Sequence, residues 1–164
     1  MSMVEFPSPM FPGFPAVTLS IPGQWTARRV PGTVLGVAKT RSPEEFASNV
    51  VVTLTREDAG TDPAVAVEAI DRYLDTLADL QVADRVVRSW GGWTWSIIEF
   101  AHVADGVGTV YQVIASTVIE HGGVCDLVRL TGSASAALVA EDIAEIRGVI
   151  ASADVRVSAE VTNG

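Results

Sequence analysis

Between residues 84 and 130 the chain is a run of β-prone segments cut only by short, glycine-bearing separators: Gly91-Gly92, Asp105-Gly106-Val107-Gly108 and His121-Gly122-Gly123. Glycine enters positive φ without strain, so such separators close tight hairpins. They are too short for the crossover that parallel neighbours need. Segments 84–90, 93–103, 109–119 and 124–130 are therefore predicted to be four consecutive antiparallel strands. The first turn carries three of the four tryptophans, Trp90, Trp93 and Trp95.

Before this block, residues 16–21 alternate strictly and read as a half-buried strand ended by Pro22-Gly23, with Trp25 just beyond. Two more strands are expected at 33–39 and at 49–55, where Val50, Val52 and Leu54 share a face. Residues 56–62 read as a charged loop. Asp62-Pro63 then opens a helix, the aspartate as N-cap and the proline at the first position. Its apolar stripe, Val67, Ile70, Leu74, Leu77 and Leu80 or Gln81, predicts that it runs to about residue 81, with Asp71, Asp75 and Asp79 as a solvated row. A second helix is predicted over 135–152. Val139, Ile143, Ile146 and Ile150 form its buried stripe, Glu141 and Asp142 suit its N-terminal half, and Arg147 suits its last turns. Three strands, a helix, four strands and a helix make an α+β domain in which helices pack on an antiparallel sheet. The expected bounds are a Pro/Phe-rich tail at 1–15, one domain at 16–155 and a C-terminal tail at 156–164.

Charge and composition narrow the function classes. The 164 residues carry 11 basic against 20 acidic side chains, a net charge of −9, and Lys39 is the single lysine. The basic stripe that draws phosphate backbones is missing, so neither nucleic acid nor an anionic membrane surface is an expected partner. One cysteine, Cys125, allows no intrachain disulfide and no multi-cysteine metal site. With Met1 as the start, prolines interrupt the place where a secretory leader would sit, and the chain reads as cytoplasmic.

Chemistry is sought by elimination. Glu99 and His102 lie three apart on one strand, so they face opposite sides of the sheet and cannot act as a pair. His121 precedes a turn, with Glu120 facing away; both histidines are expected as polar surface or edge residues. Cys125 alternates with Leu127 and reads as a buried structural thiol. No nucleophile elbow, Walker loop or dinucleotide fingerprint leading into a helix is present. No catalytic residue, cofactor or metal is predicted. The tryptophans remain: Trp93 and Trp95 share a face and Trp90 sits opposite on the partner strand, either as core or as an aromatic platform. The prolines bias the tail to extended geometry, so that it lays its phenylalanines along a domain or docks in an aromatic groove. Trp90, Trp93, Trp95, Phe11 and Phe14 are the candidate interface residues.

The order of motifs resembles PsbP-like and actinobacterial LpqN/LpqT-like domains. The resemblance covers roughly residues 16–152 and rests on Leu19-Ser20-Ile21-Pro22-Gly23-Gln24-Trp25, the valine-rich strand from Asn49 to Leu54, the helix with Tyr73-Leu74, the glycine hairpin, the strand over 109–119 and the final amphipathic helix. It implies an α/β/α sandwich of the Mog/PsbP type, with a central antiparallel sheet of about six to seven strands and two main helices. It further implies a protein-binding or accessory role without shared catalytic residues. The lipid-anchoring cysteine of exported relatives has no counterpart, since Cys125 lies deep in the domain. The expected function is a non-enzymatic module that binds a protein partner, itself included. The alternative is a small apolar-ligand binder with a cavity between sheet and C-terminal helix, marked by an apolar-lined space of roughly 300–1,000 Å³.

Overall fold

The four glycine-separated strands form a continuous meander in the computed structural model, which describes residues 1–158. They are β5 (Ala78–Trp90), β6 (Trp93–Ala104), β7 (Gly108–His121) and β8 (Val124–Ser135). Gly91 and Gly92 sit at φ 61° and 82°, the two positive values a type I′ hairpin requires, and Trp90 pairs directly with Trp93. The far side of β8 takes β4 (Asn49–Asp58), then β3 (Leu35–Lys39) and β2 (Trp25–Ala27). The result is a seven-stranded antiparallel sheet in the order β2-β3-β4-β8-β7-β6-β5. A separate ribbon pairs β1 (Ala16–Thr18) with β9 (Asp154–Arg156).

The two helices, α1 (Ala64–Leu74) and α2 (Val139–Ala151), cover opposite faces. Strand alternation decides this: Ile98, Phe100 and Ile114 pack against Ile70 and Leu74 of α1. Their neighbours Trp95, Val113 and Ala115 share a core with Ile146, Val149 and Ile150 of α2. The sheet is thus the middle layer of an α/β/α sandwich with two cores.

Several expected boundaries shift. The first predicted strand shortens to three residues and joins the small ribbon, whereas β4 runs on through the predicted loop to Asp58. Asp62 does cap α1, its carboxylate accepting the Ala64 N–H at 2.9 Å, and Pro63 already has helical dihedrals. The helix stops at Leu74, not near residue 81. Leu77 and Leu80 fill the space under α1 from a turn and a strand, and Asp79, at φ 51°, bends the chain into β5. The expected acidic row therefore breaks up, with Asp71 paired to Arg85 at 2.8 Å. The last predicted helix begins four residues late because β8 extends to Ser135. The predicted C-terminal tail lies outside the described residues from 159 onward.

Candidate binding groove

The tryptophan hairpin is bolted to the segment that follows α2. The Trp90 indole N–H donates to the Ala153 carbonyl at 3.2 Å, and that of Trp93 to the Val155 carbonyl at 3.0 Å. Trp95 is 0 % exposed, with Trp90 stacked on it at 4.5 Å and 5° between ring planes. Trp95 therefore offers no surface, while Trp90 and Trp93 are half-buried. The phenylalanines sit elsewhere. Phe14 lies 4.3 Å under the Arg56 guanidinium and 6.3 Å from Phe6, and Arg56 donates to the Pro12 and Gly13 carbonyls. Phe11 and Phe14 remain partly exposed at 43 % and 45 %.

Beside Trp90, between the β5–β6 hairpin and α2, runs a groove of about 600 Å³. Val86, Ile97 and Val113 form its floor, Trp90 closes one end, and Gly148, Ile150 and Ala151 form the helix wall. A side chain at Gly148 would meet nothing within 4 Å. A helix-interior glycine costs roughly 1 kcal/mol relative to alanine, and here it keeps the wall thin.

Charged groups rim the groove: Asp84 and Arg88 on β5, Glu99 on β6 and Arg147 on α2. Arg147 grips both Glu99 oxygens at 2.8 and 2.7 Å, and the Tyr111 hydroxyl donates to Glu99 at 2.6 Å. The Arg147 guanidinium holds the Glu99 carboxyl below the usual range in spite of burial, with help from Tyr111. Burial, then the hydrogen bond to Glu99 and its charge, pushes the Tyr111 phenol up to about 12. A carboxylate held ionised by two donors is a poor general base, so this network braces the wall.

At the other end of α2 the polar groups are sealed. Asp142, 0 % exposed, accepts from Lys39 at 2.7 Å, Ser48 at 2.6 Å and Arg41 at 3.0 Å. Burial would raise its carboxyl, but the Lys39, Ser48 and Arg41 hydrogen bonds outweigh it and the group titrates low. Glu145 accepts the Trp25 indole N–H at 2.6 Å. Both histidines are more buried than expected. His102 is 7 % exposed and sits 3.0 Å from the Gln112 amide oxygen, which also accepts from Tyr73. His121 lies 2.6 Å from Asp126, its carboxylate partner across the turn, and Arg56 holds the same aspartate at 2.8 Å. Side-chain contacts across strands, which sequence spacing does not display, account for both. Cys125 is buried, as predicted. Among the described residues no hydroxyl or thiol hydrogen-bonds to His121, and no group of three His, Cys, Asp or Glu side chains could hold a metal ion. None of their helices is long and apolar enough to cross a membrane.

No family model and no curated sequence matches the chain. Solved structures do. LpqN of Mycobacterium tuberculosis, a protein involved in cell envelope biogenesis, is similar with a TM-score of 0.75 at 17 % identity, over 88 % of this chain and 86 % of that one. The domain has the fold of LpqN, the Mog/PsbP-like sandwich. Cyanobacterial PsbP from Synechocystis sp. PCC 6803 follows with a TM-score of 0.53 at 14 % identity, over 87 % and 94 % of the two chains. PA94 of Pseudomonas aeruginosa, a protein of unknown function, gives 0.52 at 11 % identity, over 78 % and 94 %. The seven strands and two helices of this LpqN-like domain match the architecture expected from the motif order.

Proposed function

We propose that the chain is a non-enzymatic accessory module that binds another protein, and that the groove between the β5–β6 hairpin and α2 is its recognition site. The observation that carries this reading is the open apolar floor of the groove, where Val86 and Ile97 are left half-exposed beside α2. Trp90 supplies an aromatic end wall of the kind enriched at binding hot spots. Among the described residues the ionised Glu99–Arg147 pair and the hydrogen-bonded histidines leave no free acid, base and nucleophile converging on one point. The shared fold with LpqN, a protein involved in cell envelope biogenesis, is consistent with this role.

Ala151→Phe should cover the groove from its helix wall while the buried face of α2 keeps its packing. Proteins captured by the wild-type domain should be lost with Ala151→Phe and retained by Arg72→Ala on α1, and each should then be re-measured as a purified pair. Equal affinity of both variants for every purified partner would remove the groove from the reading. The alternative is an apolar small molecule, favoured by a volume within the 300–1,000 Å³ of ligand sites. Native mass spectrometry of the purified protein distinguishes the two, since a retained ligand displaced by Ala151→Phe belongs to the second.

A further inference from the structure

The two edges of the sheet are unequal. One ends in β2, three residues long, and the other in β5, thirteen residues long, with no strand beyond it among the described residues. A bare edge of that length is a template for pairing unless it is protected. The first half is protected, because register shifts between Ala78 and Gln81 and between Val82 and Asp84 twist it out of line. From Asp84 to Trp90 the pairing with β6 is regular.

The hairpin turn fixes which backbone groups are free. Trp90 and Trp93 flank a two-residue turn and form a hydrogen-bonded pair, so Arg88, Val86 and Asp84 also bond to β6. Arg85, Val87 and Ser89 then turn their N–H and C=O groups outward. Val87 is 69 % exposed, an apolar side chain in the middle of this free stretch. On the α2 side of the same stretch stand Asp84, Val86 and Arg88, opposite Glu99, Ile97 and Trp95. Acid, apolar and base at alternate positions are self-complementary when the strand meets its own copy antiparallel.

We propose that β5 pairs with β5 of a second copy of this chain about a two-fold axis through Val86, making one continuous fourteen-stranded sheet from two seven-stranded ones. In that register Asp84 of each copy faces Arg88 of the other, and Val86 meets Val86. Arg85 exchanges backbone hydrogen bonds with Val87 of the second copy. The interface is isologous and closed, since the short, distant β2 edge takes no part. Asp84, Val86 and Arg88 also line the groove, so the two grooves meet at the axis and become one channel on the α2 side. This inference does not depend on what the groove binds.

Sedimentation of the full chain across a concentration series is the test. The wild type should be a dimer at micromolar concentration. Asp84→Arg and Arg88→Asp should each raise the dissociation constant roughly tenfold or more, because each sets like charges opposite one another at two symmetric places. The double variant should restore the dimer. Val87→Pro, which removes an outward N–H and leaves the β6 ladder intact, should give a folded monomer with an unchanged circular dichroism spectrum. A monomeric wild type, a dimer of equal strength in every variant, or a double variant no better than the singles would overturn the pairing. Ala151→Phe should leave the dimer intact, so failure of the groove reading and failure of this one are read separately.

Discussion

The α2 side of the sheet is closed over β3, β4 and β8 and open over β5 and β6. On the closed half, α2 drives Asp142 into a lock of Lys39, Arg41 and Ser48 and packs Ile146 and Val149 onto the strands. On the open half the same helix presents Arg147, Gly148 and Ala151 to a groove. One helix thus has a flank locked to the sheet through Asp142 and an opposite flank, with Arg147 and Ala151, that overhangs β5 and β6, while Ile146, Val149 and Ile150 pack into the core between them. The difference separates stability from recognition: losses on the closed half should unfold the domain, and changes on the open half should alter what it holds.

Acid should break the comparison most severely. Glu99, Asp126 and Asp142 all titrate below their ordinary values in the fold, so each contributes stability that is present above its unfolded pKa, about 4, and lost as pH falls through its folded one. The melting temperature should stay level from pH 7 to about 5 and fall steeply below about 4. A level profile down to pH 3 would contradict these locks. Next in size, Lys39→Met should cost about 3 kcal/mol in urea unfolding, the lower end of the range for a broken buried pair, because Arg41 and Ser48 still hold Asp142. Tyr111→Phe on the open half should cost only about 1 kcal/mol, one hydrogen bond to a carboxylate that Arg147 continues to grip. The smallest effect has the opposite sign. Gly148→Ala should stabilise by about 0.5–1 kcal/mol, since alanine is the better helix former and its methyl meets open space. A loss there would mean that the groove is narrower than its walls indicate.

The meander and its turns were legible because positive-φ glycines and alternating strands are local signals, and the hairpin over Gly91-Gly92 needs no distant partner. The end of α1 was not. Leu77 and Leu80 fit a helical stripe, yet they serve the same core from a turn and a strand, and apolar spacing alone cannot separate the two. Strands β2 and β9 have three residues each, too few to carry a pattern, whereas the alternation over 16–21 marked β1 but not where it ends. The Lys39–Asp142 lock spans 103 residues. Its signals were present as the one lysine at the end of an apolar strand and an aspartate four residues before Ile146 on the buried stripe. Of the groove, only Trp90 was singled out in advance as a candidate interface residue. The space beside it depends on where α2 crosses the sheet, which no local pattern records.

The meander also sets an order of events in folding. Strands β5 to β8 follow one another through short turns, so each pairing closes a small loop, whereas β4 must find β8 across the whole of that block. The first ordered species should therefore be the four-stranded meander, with Trp90, Trp93 and Trp95 already brought together. Trp25, on β2, reaches its place only after β3 and β4 have docked and α2 has delivered Glu145 to its indole. In a stopped-flow refolding experiment, a chain whose only tryptophan is Trp25 should brighten or quench later than one that keeps the hairpin three.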